Sequence, residues 1–266
     1  MSKVATLKRK NMLLTIDIGN TNIIFGVFEG EELRNTWRMA TDINKTSDEY
    51  AMFLLNAFNH KNLKTSDITG IALCSTVPPL VATFQYLLPR YFGLSPLVVG
   101  PGVKTGVSIR FDNPREVGPD RIANTAAAHI LYKGPVIIVD LGTATTFDIV
   151  SKEGEFIGGV IAPGIAHAAE ALYARTAALP RIELVAPKQT IGTNTIAGMQ
   201  AGIVFGYVGL IEGIIERIQR ELGTKATVVA TGGHAYIITP VTNIFDTINP
   251  DITLIGLRAI YQMNQT

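Results

Sequence analysis

One sequence pattern occurs twice in this chain, about half a chain length apart. LLTIDIGNTNIIFGVFEGEEL starts at Leu13 and VIIVDLGTATTFDIVSKEGEF starts at Val136. Each reads as an apolar strand ending in an aspartate, then a glycine with small hydroxyl or amide residues, then two more strands joined by a turn with Glu and Gly. The aspartates, Asp17 and Asp140, are 123 positions apart in a chain of 266 residues. This repeat predicts two similar domains.

The remainder of the chain alternates between strand-like and helical patterns, which is typical of an α/β fold. The predicted strands are 13–18, 23–28, 32–39, 70–75, 96–99, 135–140, 145–150, 155–161 and 226–230. The predicted helices are 47–59, 79–90, 119–133, 165–177, 195–222 and 255–263. We expect an N-terminal extension over 1–11, a first domain over 12–134 and a second domain over 135–266.

The composition excludes some classes of function. Lys and Arg number 23 against 22 Asp and Glu, so the net charge of +1 gives no electrostatic footprint for nucleic acid. The single cysteine, Cys74, follows an apolar run and is expected to be a small buried core residue. One cysteine suits a reducing compartment, and the basic start of the chain leads into no signal-type segment. These features predict a cytoplasmic protein.

The segment 196–215 is apolar and about as long as a bilayer span. It lies within the chain and its apolar pattern continues into IERIQREL with helical periodicity, so a buried helix is favoured over a membrane span. Its glycines recur every three or four residues, which places them on one helical face, at positions 198, 202, 206, 209 and 213. That face is predicted to pack within the domain or to form a subunit interface.

The turn after each aspartate has the chemistry of a phosphate site. Gly19 and Gly142 let the backbone pass close to a ligand, and exposed N–H groups with nearby hydroxyl and amide groups can donate to phosphate oxygens. Carboxylates repel phosphates, so Asp17 and Asp140 are expected to bind a cation or its waters. Equivalent positions in two related domains would let the two carboxylates face each other across a cleft.

Other nucleotide and metal signatures are absent from the sequence. No Gly-Lys dipeptide occurs, which excludes a Walker A loop, and no G-x-G-x-x-G opens a helix after a strand. The four histidines are scattered without the spacing of zinc ligands.

The two turn motifs resemble those of a known superfamily. IDIGNTN and VDLGTATTFD are similar to the two phosphate motifs of the actin and sugar kinase superfamily, and ATGGHA at 230–235 is similar to its adenosine motif. The resemblance implies two duplicated ribonuclease H-like (actin-like) domains with an ATP cleft between them.

A more specific resemblance covers the chain from about Met12 to its C-terminus. DIGNTNI, DNPREVGPDRIAN, DLGTATTFD, GGVIAPG, ARTAALP and GTNT, in this order, resemble type III pantothenate kinase. The resemblance implies ATP-dependent phosphorylation of pantothenate to 4'-phosphopantothenate, the first step of coenzyme A synthesis. It also implies a homodimer that uses Mg²⁺ and a monovalent cation, K⁺ or NH₄⁺.

The resemblance assigns roles to particular residues. Asp120 is the implied catalytic base, Asp140 the ligand of the monovalent cation, and Asp17 the residue that holds Mg²⁺ through water. The implied ATP-binding residues are Asp17, Ile18, Gly19, Asn20, Thr21, Asn22, Ile23, Ile24 and Thr143. The implied substrate-binding residues are Phe111, Gly118, Pro119, Asp120, Arg121 and Thr195.

Three of these positions have a second interpretation or depart from the family pattern. Pro119 and Asp120 also suit the start and cap of a helix, and Thr195 also suits an N-cap. Phe111 stands where many relatives have a tyrosine, and loss of that hydroxyl is expected to cost roughly 0.5–1.5 kcal/mol of substrate binding.

Two other functional classes stay open. A different small-molecule kinase on this fold would keep both phosphate motifs without needing GPDR or GTNT. A non-catalytic accessory or regulatory protein would be expected to lose one or more of Asp17, Asp120 and Asp140, and all three are present.

Overall fold

The structure is a computed structural model that describes residues 11–176 and 178–265. The strands are β1 Met12–Ile18, β2 Asn22–Glu29, β3 Glu32–Ala40, β4 Ile68–Ser75, β5 Leu97–Val98, β6 Val136–Leu141, β7 Ala144–Val150, β8 Phe156–Pro163, β9 Thr227–Thr231 and β10 Thr247–Ile248. The helices are α1 Ser47–His60, α2 Pro78–Phe92, α3 Pro119–Leu131, α4 Ile165–Ala174, α5 Thr195–Leu222, α6 Ala235–Ile238 and α7 Ile252–Met263. The predicted N-terminal extension, apart from Asn11, lies outside the described residues.

The strands form two five-stranded sheets with the same topology. Their strand orders are β3-β2-β1-β4-β5 and β8-β7-β6-β9-β10. In each sheet the first three strands form an antiparallel meander, and the fourth strand is parallel to the first and to the fifth. The repeated sequence pattern corresponds to the meander of each sheet. The predicted α/β fold with two duplicated domains is therefore confirmed.

The chain folds into two compact units whose segments are interleaved in sequence. The first unit runs to Gly106 and includes Arg115–Ala123 and the chain from Thr253 onward, while the second includes Val107–Pro114 and Asn124–Ile252. The helix α7 thus completes the first unit, although it lies near the end of the chain. The predicted division at residues 134 and 135 stays a prediction.

Close backbone packing fixes α7 in the first unit. A Cβ built on Gly256 would overlap the backbone carbonyl of Ala123, so α7 and the first turns of α3 approach without a side chain between them. On the sheet, a Cβ on Gly26 would lie 2.9 Å from the Leu254 side chain. Alanine at position 256 would overlap backbone atoms and prevent the contact, whereas alanine at position 26 would require the Leu254 side chain to shift.

Each sheet has its own hydrophobic core. In the first unit, Leu14 and Ile16 of β1 and Leu73 of β4 are fully buried. Both strands are central and pair in parallel, so they are covered on both faces and read as nearly continuous apolar runs. A capping box between Thr46 and Glu49 starts α1, which packs on this core.

The long helix α5 has one buried and one open face. Its buried face, which includes Val204, Ile211 and Ile215, packs in the core of the second unit. By length and composition this helix could cross a membrane, but the core helix of a soluble protein meets the same criterion. The opposite face carries the five glycines.

The differences from the predicted elements are small. The strand β10 and the helix α6, which have two and four residues, are absent from the prediction because such short elements show no periodicity. The helix α4 ends at Ala174, before the predicted end at 177, and residue 177 lies outside the described residues.

Candidate active site

The first glycine turn connects β1 to β2 directly after Asp17. The Gly19 amide donates to the Asn22 carbonyl at 3.0 Å, which closes the turn. The Thr41 hydroxyl donates to the Gly19 carbonyl at 2.6 Å and so ties the turn to the end of β3. Asn20 and Thr21 are exposed at its tip. Their groups are therefore presented on a fixed loop.

Not every residue of the predicted ATP segment has an accessible side chain. Ile18 and Ile23 are fully buried and belong to the core of the first unit. Their backbone, rather than their side chains, is the part that could contact a nucleotide. Asn22 and Ile24 are partly exposed beside them.

Asp17 lies next to Cys74 on the adjacent strand. The parallel pairing of β1 with β4 places the two residues in register, and the Cys74 thiol donates to Oδ1 of Asp17 at 3.3 Å. Burial and the nearby charge of Asp120 raise the pKa of Asp17 from 3.8 to about 7, while the thiol bond opposes this rise. A nearby cation strongly stabilises the ionised form of a carboxylate with this pKa.

Asp120 lies in the first turn of α3, directly after Pro119. The Pro119 ring suits the first helical position, because an N–H there would have no helical partner. Burial raises the pKa of Asp120, and backbone N–H groups together with the charge of Arg121 partly offset the rise. Its buried Oδ1 has no hydrogen-bond partner in the described part of the chain. An acceptor in this state is suited to a substrate hydroxyl.

A glycine just before the helix leaves room for this carboxylate. A Cβ built on Gly118 would overlap Oδ1 of Asp120. The Gly118 carbonyl also accepts the first helical bond, from the Ile122 amide at 3.1 Å. A side chain at position 118 would therefore displace the Asp120 carboxylate from this position.

The first unit brings together two of the predicted site residues and one that the site prediction missed. The charge of Asp120 raises the pKa of both Asp17 and Cys74, so the start of α3 lies close to the ends of β1 and β4. Burial is the larger cause for both groups. Cys74 is buried, as predicted, but it also contacts the candidate metal-binding carboxylate.

The second unit has the corresponding aspartate and glycine turn. Asp140 is the second-last residue of β6, and the Gly142 amide donates to the Ala144 carbonyl at 3.0 Å. Two glycines flank the carboxylate. A Cβ on Gly142 would lie 3.3 Å from Oδ1 of Asp140, and one on Gly232 would overlap the same oxygen. The sequence motif ATGGHA thus supplies a glycine whose lack of a side chain lets the backbone approach the Asp140 carboxylate closely.

The backbone of the second turn is held from two sides. Nδ1 of His167, in the first turn of α4, lies 2.9 Å from the Thr143 carbonyl oxygen. Nδ1 of His234 lies 3.3 Å from the Gly142 carbonyl oxygen. A Cβ on Gly164, the N-cap of α4, would overlap the Thr143 carbonyl, so the start of this helix and the turn meet through backbone. Thr143 itself is exposed, as a ligand-binding residue would be.

The two remaining predicted substrate residues also lie in the second unit. Thr195 is exposed at the first position of α5, but it is not the N-cap; the cap is Asn194, whose side chain accepts from the Ala197 amide at 2.9 Å. The interpretation of Thr195 as the cap is therefore wrong, because asparagine one residue earlier takes that place. The ring of Phe111 packs against Phe156, with centroids 5.9 Å apart.

The residues at the first glycine turn fit a divalent cation that binds together with a nucleotide. No group of three or more His, Cys, Asp or Glu side chains that could hold a metal occurs in the described residues. Mg²⁺ bound with a nucleotide does not need such a group, because it keeps several waters and takes one or two carboxylates plus phosphates. Asp17, a partly exposed carboxylate beside an open turn, fits that mode of binding.

The duplicated sheets, each with an aspartate before a glycine turn, define the class of protein. This is the fold of the actin-like ATPases and sugar kinases. A solved structure with a similar fold is component A of (R)-2-hydroxyglutaryl-CoA dehydratase from Acidaminococcus fermentans. It has a TM-score of 0.55 and 16% identity, over 94% of this chain and 97% of that one.

Sequence comparisons identify the particular family. The family model for type III pantothenate kinase matches residues 13–217. A type III pantothenate kinase of Dehalococcoides mccartyi (strain CBDB1) is 51% identical over 265 residues, covering 100% of each chain. One from Moorella thermoacetica is 54% identical over 253 residues, covering 95% of this chain and 100% of the relative. The chain belongs to the type III pantothenate kinase family.

Proposed function

We propose that this chain transfers the γ-phosphoryl group of ATP to pantothenate and so makes 4'-phosphopantothenate, the first step of coenzyme A synthesis. The observation that carries the substrate is the similarity to type III pantothenate kinases over the full length of the chain. ATP and a divalent metal follow from membership in this family of kinases.

Asp120 is the proposed base for the acceptor hydroxyl. Its raised pKa makes it a better proton acceptor than an ordinary aspartate, and its buried Oδ1 lacks a partner among the described residues. As the hydroxyl oxygen bonds to phosphorus, its proton passes to Asp120 and ADP leaves. Because phosphoryl transfer has a loose transition state, orienting the hydroxyl is expected to matter as much as removing its proton.

Positive charge close to Asp120 is available for anionic groups. Arg121 follows it directly, and the N-terminus of α3 adds partial positive charge. A guanidinium can bind a carboxylate or a phosphoryl group through two parallel hydrogen bonds. We assign Arg121 to the substrate carboxylate or to the transferring group.

The first glycine turn is the proposed ATP phosphate site of the first unit. Asn20 and Thr21 are exposed on it, and Asp17 lies at its base. Asp17 would hold hydrated Mg²⁺, which when bound neutralises charge on the phosphates. Thr143 is the proposed phosphate contact of the second unit.

Asp140 is the proposed ligand of a monovalent cation, K⁺ or NH₄⁺. Its place beside the second glycine turn, equivalent to that of Asp17 in the first sheet, supports this role. We therefore expect Asp140→Ala to lose most activity, and extra K⁺ should not restore it. Turnover measured across a K⁺ titration tests this, and a titration curve identical to that of the wild type would remove Asp140 from the cation site.

The proposed reaction is tested by the purified chain with ATP and pantothenate, in potassium buffer and in matched sodium buffer, with the product identified by mass. Product that depends on potassium would support both the substrate and the cation. Product in both buffers would keep the kinase and contradict the cation assignment. No product in either would point to another acceptor or to a non-catalytic protein.

A homodimer is the proposed assembly, and the open face of α5 is its proposed interface. A Cβ built on any of the five glycines of this face meets no described atom within 4 Å, at Gly198, Gly202, Gly206, Gly209 and Gly213. Ile196, on the first turn of the helix, is 49% exposed. Small residues on an exposed helix face allow a second backbone to approach closely. A cytoplasmic location, without nucleic acid or a membrane as partner, stays a prediction.

The interface is tested by Gly206→Glu. The new side chain meets open space within the chain, so folding should be unaffected, but a dimer would bury its charge. We expect sedimentation analysis to show a dimer for the wild type and a monomer for the variant. Gly100→Glu, which also meets open space, is the control. A dimeric Gly206→Glu protein would place the interface elsewhere.

A further inference from the structure

Cys74 is a buried cysteine that the proposed mechanism does not use. Cys74 is fully buried, and its thiol donates to Oδ1 of Asp17 at 3.3 Å. The carboxylate is therefore held by a side chain from the neighbouring strand, 57 residues away in sequence. A buried cysteine is often only a small core residue, so this contact needs independent support.

The second sheet supplies that support. Its strands have the same order, and the residue in register with Asp140 is Thr231, just as Cys74 is in register with Asp17. Thr231 is 4% exposed. The residue opposite each aspartate is thus buried and carries a side chain able to donate a hydrogen bond. An apolar residue could also occupy either position in a central parallel strand, but it could not donate a hydrogen bond.

The contact uses the thiol as its donor. An ionised carboxylate can only accept, so in the 3.3 Å contact the sulfur carries the proton that points to Oδ1 of Asp17. A protonated thiol can donate to Asp17, whereas a thiolate would repel it.

We propose that Cys74 is a positioning residue for the metal site: its thiol fixes the carboxylate of Asp17 in the orientation that holds hydrated Mg²⁺ with the nucleotide. This rests on the proposed function only in assigning Mg²⁺ and ATP to the first unit. The thiol touches neither the nucleotide nor the substrate. Partners that orient metal-binding groups commonly change metal affinity by about 10- to 100-fold when removed.

The test measures metal binding directly, with Mn²⁺ as the probe and electron paramagnetic resonance as the readout, in the presence of a non-hydrolysable ATP analogue. Three variants are compared with the wild type. Cys74→Ser keeps a donor, Cys74→Ala removes it, and Cys74→Val removes it while keeping the site filled. We expect Mn²⁺ affinity to fall about 10-fold in the alanine and valine proteins and to stay close to wild type in the serine protein.

Thermal unfolding of each variant separates positioning from packing. If Cys74→Ala is too unstable to purify, the serine and valine proteins carry the comparison. Equal Mn²⁺ affinity in the serine and valine proteins would overturn the proposal, since the donor would then have no effect. The Mn²⁺ binding assay contains no pantothenate. If the wild type failed to phosphorylate pantothenate in a separate assay, the proposed function would be contradicted, but the comparison of the Cys74 variants would stand.

Discussion

Replacing Asp120 by asparagine should lower kcat by about 10²- to 10⁴-fold, the usual range for a positioned general base. The amide has nearly the same shape, so it fits the space beside Gly118, but it cannot accept the hydroxyl proton. Nucleotide affinity should be almost unchanged, because Asp120 is not among the residues proposed to bind ATP. Turnover and equilibrium binding of ATP, measured on the same preparation, check the two halves of this prediction.

The control is Asp48→Asn, which makes the same chemical change at an exposed position in the first turn of α1. It should retain wild-type turnover. Near-normal turnover of the Asp120→Asn protein would remove this carboxylate from the mechanism. A large loss of ATP affinity would instead show that Asp120 acts on the nucleotide.

Replacing Asp17 by asparagine should have opposite effects on binding and on stability. Affinity for the metal–nucleotide complex should fall by about 10- to 100-fold, because the carboxylate that holds the hydrated cation is lost. The ligand-free protein should become more stable, because the variant no longer places a charge in a partly buried site beside Asp120.

The stability gain should depend on pH with a defined sign. The pKa of Asp17 is raised from 3.8 to about 7 on folding, so the folded state binds the proton more tightly than the unfolded state. Asp17 therefore contributes its full share of the unfolding free energy of the wild type below pH 3.8. This contribution is lost as the pH rises through about 7. This shift corresponds to at most about 4 kcal/mol, an upper limit because solvent screens a partly exposed group.

Denaturation by urea at pH 5 and at pH 8, without ligands, measures this effect. The difference in unfolding free energy between Asp17→Asn and wild type should be larger at pH 8 than at pH 5. A gain of the same size at both pH values would mean that Asp17 does not titrate between them. A loss of stability at pH 8 would mean that the carboxylate is already well compensated without a metal.

The repeat predicted the fold well because its order of strand, aspartate, glycine turn and strand follows from local chemistry. The helix starts at Pro119 and Thr195 were also predicted, because start signals lie within one turn of the helix. The cap at Asn194 was missed, since adjacent Asn and Thr are both good caps and only the structure distinguishes them.

Contacts across parallel strands could not be predicted in the same way. Asp17 and Cys74 are 57 residues apart, and their contact depends on the register of β1 against β4. A shift of that register by one residue would turn the thiol to the other face of the sheet. The same applies to Gly232, whose closeness to Asp140 follows from the pairing of β6 with β9.

The packing of α7 in the first unit has a consequence for synthesis on the ribosome. Domains usually fold from the N-terminus as the chain emerges. Here the first turns of α3, which carry Asp120, cannot gain their backbone contact with Gly256 until the whole second unit, to Ile252, has been translated. The nascent chain can therefore complete its second unit first, and the proposed catalytic carboxylate reaches its final surroundings at the end of translation.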